Sequence, residues 1–146
     1  MTSVKYLMRI AVIDSQGGGL GKTIVERLRS AFGESIEILA LGTNAVAASL
    51  LLKAGANEGV SGENAIVFNA PKVDVIIGSV AIIAAHSMLG EITPRMAEAV
   101  SASPAKKLLL PLNRCGLFIA GIKQEPLTSY IDDAVILIKE WSGLTK

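Results

Sequence analysis

RIAVIDSQGGGLGKTIVER, residues Arg9 to Arg27, is the stretch whose reading decides the fold. Ile10-Ala11-Val12-Ile13 is an unbroken apolar run rich in β-branched residues, the pattern of a strand buried on both faces. From Leu20 onward the apolar residues recur at helical spacing. Between the two lie Gly17, Gly18, Gly19 and Gly21. Glycine accepts positive φ and lets a ligand come close to the main chain, and the unpaired N–H groups that open the following helix attract an anion. The stretch therefore predicts strand, phosphate loop and helix, with Ser15 to Lys22 as the binding region.

Glycine spacing separates the folds that use such a loop, and no template fits completely. G-x-G-x-x-G takes Gly17 and Gly19 but then asks for glycine where Lys22 stands. The short-chain dehydrogenase pattern G-x-x-x-G-x-G fits Gly19-Leu20-Gly21 but finds Ser15 at its first glycine. The P-loop pattern G-x-x-x-x-G-K-[ST] matches Gly21-Lys22-Thr23 and finds Gln16 at its leading glycine, while the variant K-G-G-x-G-K-T has Gly17 in place of its first lysine. A P-loop enzyme also needs an acid after a second buried strand to organise magnesium, and Val75-Ile76-Ile77 runs instead into Gly78-Ser79. The context favours a dinucleotide or mononucleotide over triphosphate hydrolysis. The competing structural reading is a glycine turn that only packs a helix against a sheet.

The 146 residues are expected to form one domain spanning 1–146. Fourteen Lys and Arg against 13 Asp and Glu leave a net charge of +1, which gives no electrostatic reason to expect nucleic acid or an acidic membrane as partner. A hydrophobic fraction of 51% with only 4% aromatic describes an aliphatic core suited to a parallel sheet under helices. The longest apolar run, Val75 to Ala85, is broken at Gly78-Ser79 and falls short of the ~20 residues of a spanning helix. With no secretory signal pattern at the N-terminus, a cytoplasmic protein is expected. A single cysteine, Cys115, and a single histidine, His86, argue against a disulfide and a metal centre.

In chain order, a helix ends at Gly33, a second strand covers Ile36 to Leu41, and an almost wholly apolar helix covers Ala45 to Lys53 before Gly55. That helix is expected to be covered on more than one side, and with the aliphatic composition it predicts self-association as a homodimer. Ala56 to Gly62 reads as a short strand or extended loop. Ala65 to Ala70 reads as a helix broken at Pro71, with a hairpin strand at Ile66–Phe68 as the alternative. Asp74 to Ile77 is a strand, Thr93-Pro94 caps and starts a helix, and Leu108 to Leu110 is a strand. A final strand at Leu117–Ala120 and a helix from Pro126 to Trp141 complete the reading. Strands alternating with helices predict an α/β, Rossmann-like three-layer sandwich with a mainly parallel sheet.

The segments IDSQGGGLGK, ALGTNAVAASLLLKAGAN, GENAIVFNA, HSMLGEITPRMAEA and KKLLLPLNRC together resemble a family of short bacterial proteins characterised only as a domain of unknown function. The resemblance covers nearly the whole chain. It implies a small stand-alone Rossmann-like protein with a nucleotide site and no assigned reaction. The family's loop has glycine where this chain has Ser15, a departure that bears on the tightness of the first turn.

In an open α/β sheet, ligands bind beyond the carboxyl ends of the strands, so polar residues just after each strand are the candidates. These are Asp14, Ser15, Gln16 and the loop Gly17, Gly18, Gly19, Leu20, Gly21 and Lys22 after the first strand. Thr43 and Asn44 follow the second strand, Ser79 the strand at Val75–Ile77, and Asn113 and Arg114 the strand at Leu108–Leu110. Asp14 is read chiefly as a partner for loop amides, Thr43 and Asn44 chiefly as helix caps, and Lys22 equally as a phosphate ligand or a surface lysine. An acid expected ~20 residues past the glycines to hold an adenosine ribose is missing. His86 is the candidate general acid or base by its ordinary pKa, against a structural role, and Cys115 beside Arg114 is read chiefly as an inert thiol.

Two classes of function follow. The first is a nucleotide-binding sensor or partner protein without turnover, its ligand NAD(P) or another phosphate-bearing nucleotide. The second is a small nucleotide-dependent oxidoreductase or transferase. The Tyr-x-x-x-Lys pair of short-chain dehydrogenases is not present, because Ile10 follows Tyr6 and Ala134 follows Tyr130 at the lysine position. The binding protein is the preferred reading, since it needs no catalytic pair.

Overall fold

The structure is a computed structural model, and it describes residues 5–16, 18–112 and 116–143. Its strands are β1 (Arg9–Asp14), β2 (Glu37–Gly42), β3 (Glu58–Ser61), β4 (Val75–Ser79) and β5 (Lys106–Leu110). They form one sheet in the order β3-β2-β1-β4-β5, and every pair is parallel. Register places Ile10 beside Ile38 on one side and beside Val75 on the other. The chain first builds outward from β1 through β2 to β3, then returns to start again at β4. The reversal leaves a crevice at the carboxyl ends of β1 and β4, the switch point at which open parallel sheets bind ligands.

The apolar run of β1 divides between two cores, as alternation along a strand requires. Ile10 and Val12 pack with Ile24, Val25 and Leu28 of α1 (Gly19–Phe32), Leu51 of α2 (Ala45–Ala54), and Ile131, Ala134 and Ile138 of α5 (Leu127–Ser142). Ala11 and Ile13 face the other core, with Ile66 of α3 (Glu63–Asn69) and Met96, Ala97 and Val100 of α4 (Pro94–Ala102). Helices thus cover both faces of the sheet, and burying each large aliphatic side chain contributes roughly 1.5–3 kcal/mol. This is the α/β three-layer sandwich that the strand and helix periodicities predict.

Most element boundaries fall within a residue or two of the sequence reading. The stretch before Gly62 is a strand, and Ala65–Ala70 is helical rather than a hairpin, continuing into a single 3-10 turn at Ala70–Lys72. Thr93 caps α4 by accepting the Met96 N–H, with Pro94 at its first position. Two expectations fail. Leu117–Ala120 is not a strand: Phe118 and Ile119 are exposed, and the segment lies between turns at Gly116 and Gly121, whose φ values are positive at 71° and 84°. Helix α2 packs on β2, β3 and α1 through Ala47, Ala48 and Leu51, but its outer side, which the all-round apolar sequence predicts to be covered, leaves Val46 and Leu52 exposed. None of the described helices is long and apolar enough to cross a membrane.

Candidate functional site: the glycine shelf at the switch point

The site begins where β1 stops. Asp14 is buried and its carboxylate accepts the N–H of Ser15 at 2.8 Å and of Gly21 at 2.6 Å. A carboxylate set against the first turn of α1 is favoured by the helix dipole, and here it also satisfies a donor that the helix geometry leaves unpaired. Of the three roles open to Asp14, as partner of a ribose, a sugar or a loop amide, the structure shows the loop-amide one. Gly18, at φ 76°, turns the chain into α1, and its N–H donates to the Ser15 carbonyl.

The described glycines divide by what surrounds them. A Cβ on Gly18 would meet the Ala47 backbone at 3.0 Å, and one on Gly21 would meet Leu51 Cδ1 at 2.7 Å and Asp14 Cβ at 2.9 Å. Both let the loop and α1 seat tightly against α2 and β1. Gly19 is different, because it is exposed and a Cβ there would meet nothing within 4 Å. The N–H groups of Gly19 and Leu20 donate to no acceptor among the described residues. Lys22, exposed one turn into α1, makes no side-chain bond among those residues. The packing explains two of the glycines and leaves an open shelf at the third, with a lysine at its side.

Beyond β2, Asn44 caps α2, its Oδ1 accepting the Ala47 N–H at 2.9 Å. Thr43 does not cap; its hydroxyl donates to Glu91 Oε1 at 2.6 Å. The same oxygen accepts from Asn44 Nδ2 at 2.8 Å and from the Gln16 N–H at 3.1 Å, and Asn44 Nδ2 also donates to the Gln16 carbonyl at 3.1 Å. Glu91 belongs to the turns that lead from β4 to α4. Burial raises its pKa, but the bonds from Thr43, the Gln16 backbone and Asn44 together outweigh that and hold the carboxyl below its ordinary value. It is ionised at neutral pH.

Glu91 was not among the residues that sequence reasoning selects, because nothing local marks an acid between Gly90 and Ile92 as part of a site formed after β1 and β2. The available signal was indirect: the acid expected after β2 was missing. Ser79 is buried and its hydroxyl accepts the Ala81 N–H, so it caps the turn after β4 instead of facing a ligand. His86 is exposed at φ 67°, and its backbone N–H donates to the Ile92 carbonyl at 2.6 Å. Gly17, Asn113, Arg114 and Cys115 lie outside the described residues.

Among the described residues, three cavities lie away from the glycine shelf. Two, of about 400 and 330 Å³, open between β5, the segment 117–125 and α5, and one of about 490 Å³ lies at the amino ends of β1 and β4, beside Trp141. Residues 14–22 line none of the three. The glycine shelf lies at the switch point without enclosing a volume, and a shelf that cradles one phosphate needs no deep cavity.

A doubly wound parallel sheet with a glycine-rich turn from β1 into α1 defines a Rossmann-like protein. Within that class the chain belongs to the family described as a domain of unknown function, DUF3842, which matches residues 9–143, from the first residue of β1 to the glycine that ends α5. A search of curated proteins finds no match.

Proposed function

We propose that this is a nucleotide-binding protein that holds a phosphate-bearing nucleotide at Ser15 to Lys22, acting in the cytoplasm as a sensor or partner protein. The observation that carries the reading is Gly19: an exposed glycine with empty space around it, at the start of the helix that follows β1, beside the crevice of the switch point. Its neighbours Gly18 and Gly21 are accounted for by packing, and Gly19 is not. Lys22 supplies a positive charge on the same turn.

The test is calorimetric titration of the purified protein with NAD(H), NADP(H), ADP, ATP and nucleotide sugars, alongside Gly19→Val. Saturable binding of a nucleotide that is lost in Gly19→Val, with melting behaviour unchanged, supports the reading. A protein that binds none of them, or a variant that binds as well as the parent, refutes it.

The second reading, a nucleotide-dependent oxidoreductase or transferase, draws on the position of His86, five residues before Glu91 on the same run of turns. If turnover of a bound nucleotide is found, His86→Gln is the variant that separates a proton-transfer role from the backbone role that the structure shows.

A further inference from the structure

Rossmann-type sites commonly take a carboxylate from the end of β2 to accept hydrogen bonds from an adenosine ribose. In this chain β2 ends at Gly42 and is followed by Thr43 and Asn44, neither of them acidic. A carboxylate is nevertheless present at that place. Glu91, from the turns between β4 and α4, sets Oε1 against the Thr43 hydroxyl, the Asn44 amide and the Gln16 N–H, bridging the end of β2 and the loop after β1.

We propose that Glu91 is the ribose-recognition residue of this site, so that the ligand is a nucleotide with a free 2′,3′-diol on its ribose and not one carrying a 2′-phosphate. The proposal rests on the nucleotide reading given above and deepens it. All three donors converge on Oε1, and Oε2 accepts no hydrogen bond among the described residues. One oxygen is therefore used to fix the carboxylate, and the other is left to accept from sugar hydroxyls. A 2′-phosphate brought to the same place would meet a fixed negative charge.

The segment that delivers Glu91 is built to hold it. Met88 and Ile92, on either side, are buried in the core beneath α3 and α4. The Ser87 hydroxyl donates to the Ala81 carbonyl at 2.7 Å, and the Glu91 N–H donates to the Met88 carbonyl at 3.1 Å. His86, Met88 and Leu89 all have positive φ, at 67°, 56° and 57°. Non-glycine residues in that region are strained and persist where surrounding structure over-determines them, commonly at ligand sites. Here the strained turns carry a carboxylate from beyond β4 to the end of β2.

The experiment compares binding of ADP with 2′-deoxy-ADP, and of NAD with NADP, to the parent, Glu91→Gln and Thr43→Val, each checked for folding by thermal melting. The parent is expected to prefer the diol ligand of each pair by about tenfold or more, the difference expected for hydrogen bonds to a charged group. Glu91→Gln should lose that preference by weakening the diol ligands while NADP binding holds or improves. Thr43→Val removes one donor that fixes Oε1 without altering charge, and should lose part of it. A parent that binds nucleotides without discriminating, or a Glu91→Gln variant that keeps the parent's preference, overturns the proposal alone. A Glu91→Gln variant that binds every nucleotide more tightly overturns it in favour of a carboxylate that occupies the ligand's anion site. A parent that binds no nucleotide overturns the underlying reading as well.

Discussion

Asp14 Oδ2 lies 2.6 Å from the amide nitrogen of Gly21, so the last residue of β1 holds the first turn of α1. The bond crosses the whole glycine loop and fixes where the loop must begin and end. It also means that part of the attraction of this helix terminus for anions is already met by the protein, leaving the outer turn at Gly19 and Leu20 for any ligand.

Replacing Asp14 with alanine leaves the N–H groups of Ser15 and Gly21 without their carboxylate acceptor. An unsatisfied buried donor costs about 1–3 kcal/mol, so Asp14→Ala is expected to lose at least that much in urea unfolding with an unchanged m-value. Asp14→Asn keeps an oxygen acceptor and should lose less. Equal stability of Asp14→Ala and the parent would mean that water serves these amides as well as the carboxylate does.

Gly21→Ala and Gly19→Ala should behave oppositely although they are two residues apart. The new methyl at position 21 would press on Leu51 Cδ1 and on Asp14, both closer than 3.0 Å, and overpacking of this kind costs about 1–3 kcal/mol. At position 19 it meets nothing within 4 Å, and the better helix propensity of alanine is expected to leave stability unchanged or raise it by up to ~1 kcal/mol. Differential unfolding of the two variants checks the contrast. If Gly19→Ala proves the more damaging, the shelf is not open in solution.

What the sequence made legible follows the range of the interactions involved. Ile10 to Ile13, the helical spacing from Ile24 to Phe32, and Thr93-Pro94 are local signals, and each produced its element in place. Leu117–Ala120 misled because four apolar residues in a row resemble a strand, while the outcome depended on the turns at Gly116 and Gly121 and on the absence of pairing with β5. In the site, Asp14 could be read as an amide partner because its donors lie within the same loop. Glu91 could not, because the donors it serves, Gln16, Thr43 and Asn44, are 75, 48 and 47 residues away and meet it only after the sheet has formed.

The Glu91 clasp carries a pH dependence of definite sign. Hydrogen bonds hold its folded-state pKa below the ordinary value of 4.5, so its ionised form contributes stability that is fully present above that value and is lost as pH falls through the lower, folded value. Melting temperatures of the parent and Glu91→Gln should therefore differ most near neutral pH, and the gap should narrow as the medium becomes more acidic than the ordinary carboxylate range. A gap that stays constant throughout that range would show that the charge of Glu91 contributes nothing to the clasp.

Self-association is expected on an apolar surface that the single chain leaves uncovered. The sequence points to α2, where Val46 and Leu52 are exposed, but the structure offers a second apolar surface beside the edge strand β5: Phe118, Ile119 and Ile122 are exposed and line one hollow with Tyr130, and Ile122 lines another with Leu137 of α5 and Leu108 of β5. Exposed apolar groups that adjoin one another at a sheet edge favour pairing with a second copy, and a two-fold dimer is the commonest closed arrangement. Sedimentation of the parent at micromolar concentration is expected to show a dimer. The double substitution Phe118→Lys and Ile122→Lys should shift it to monomer without loss of helical content, because neither side chain is buried within the chain. Val46→Lys with Leu52→Lys is the matched comparison: a dimer that survives it but not the first pair lies on the β5 side, and a dimer abolished only by the α2 pair returns the interface to the helix. A parent that sediments as a monomer refutes self-association on either surface.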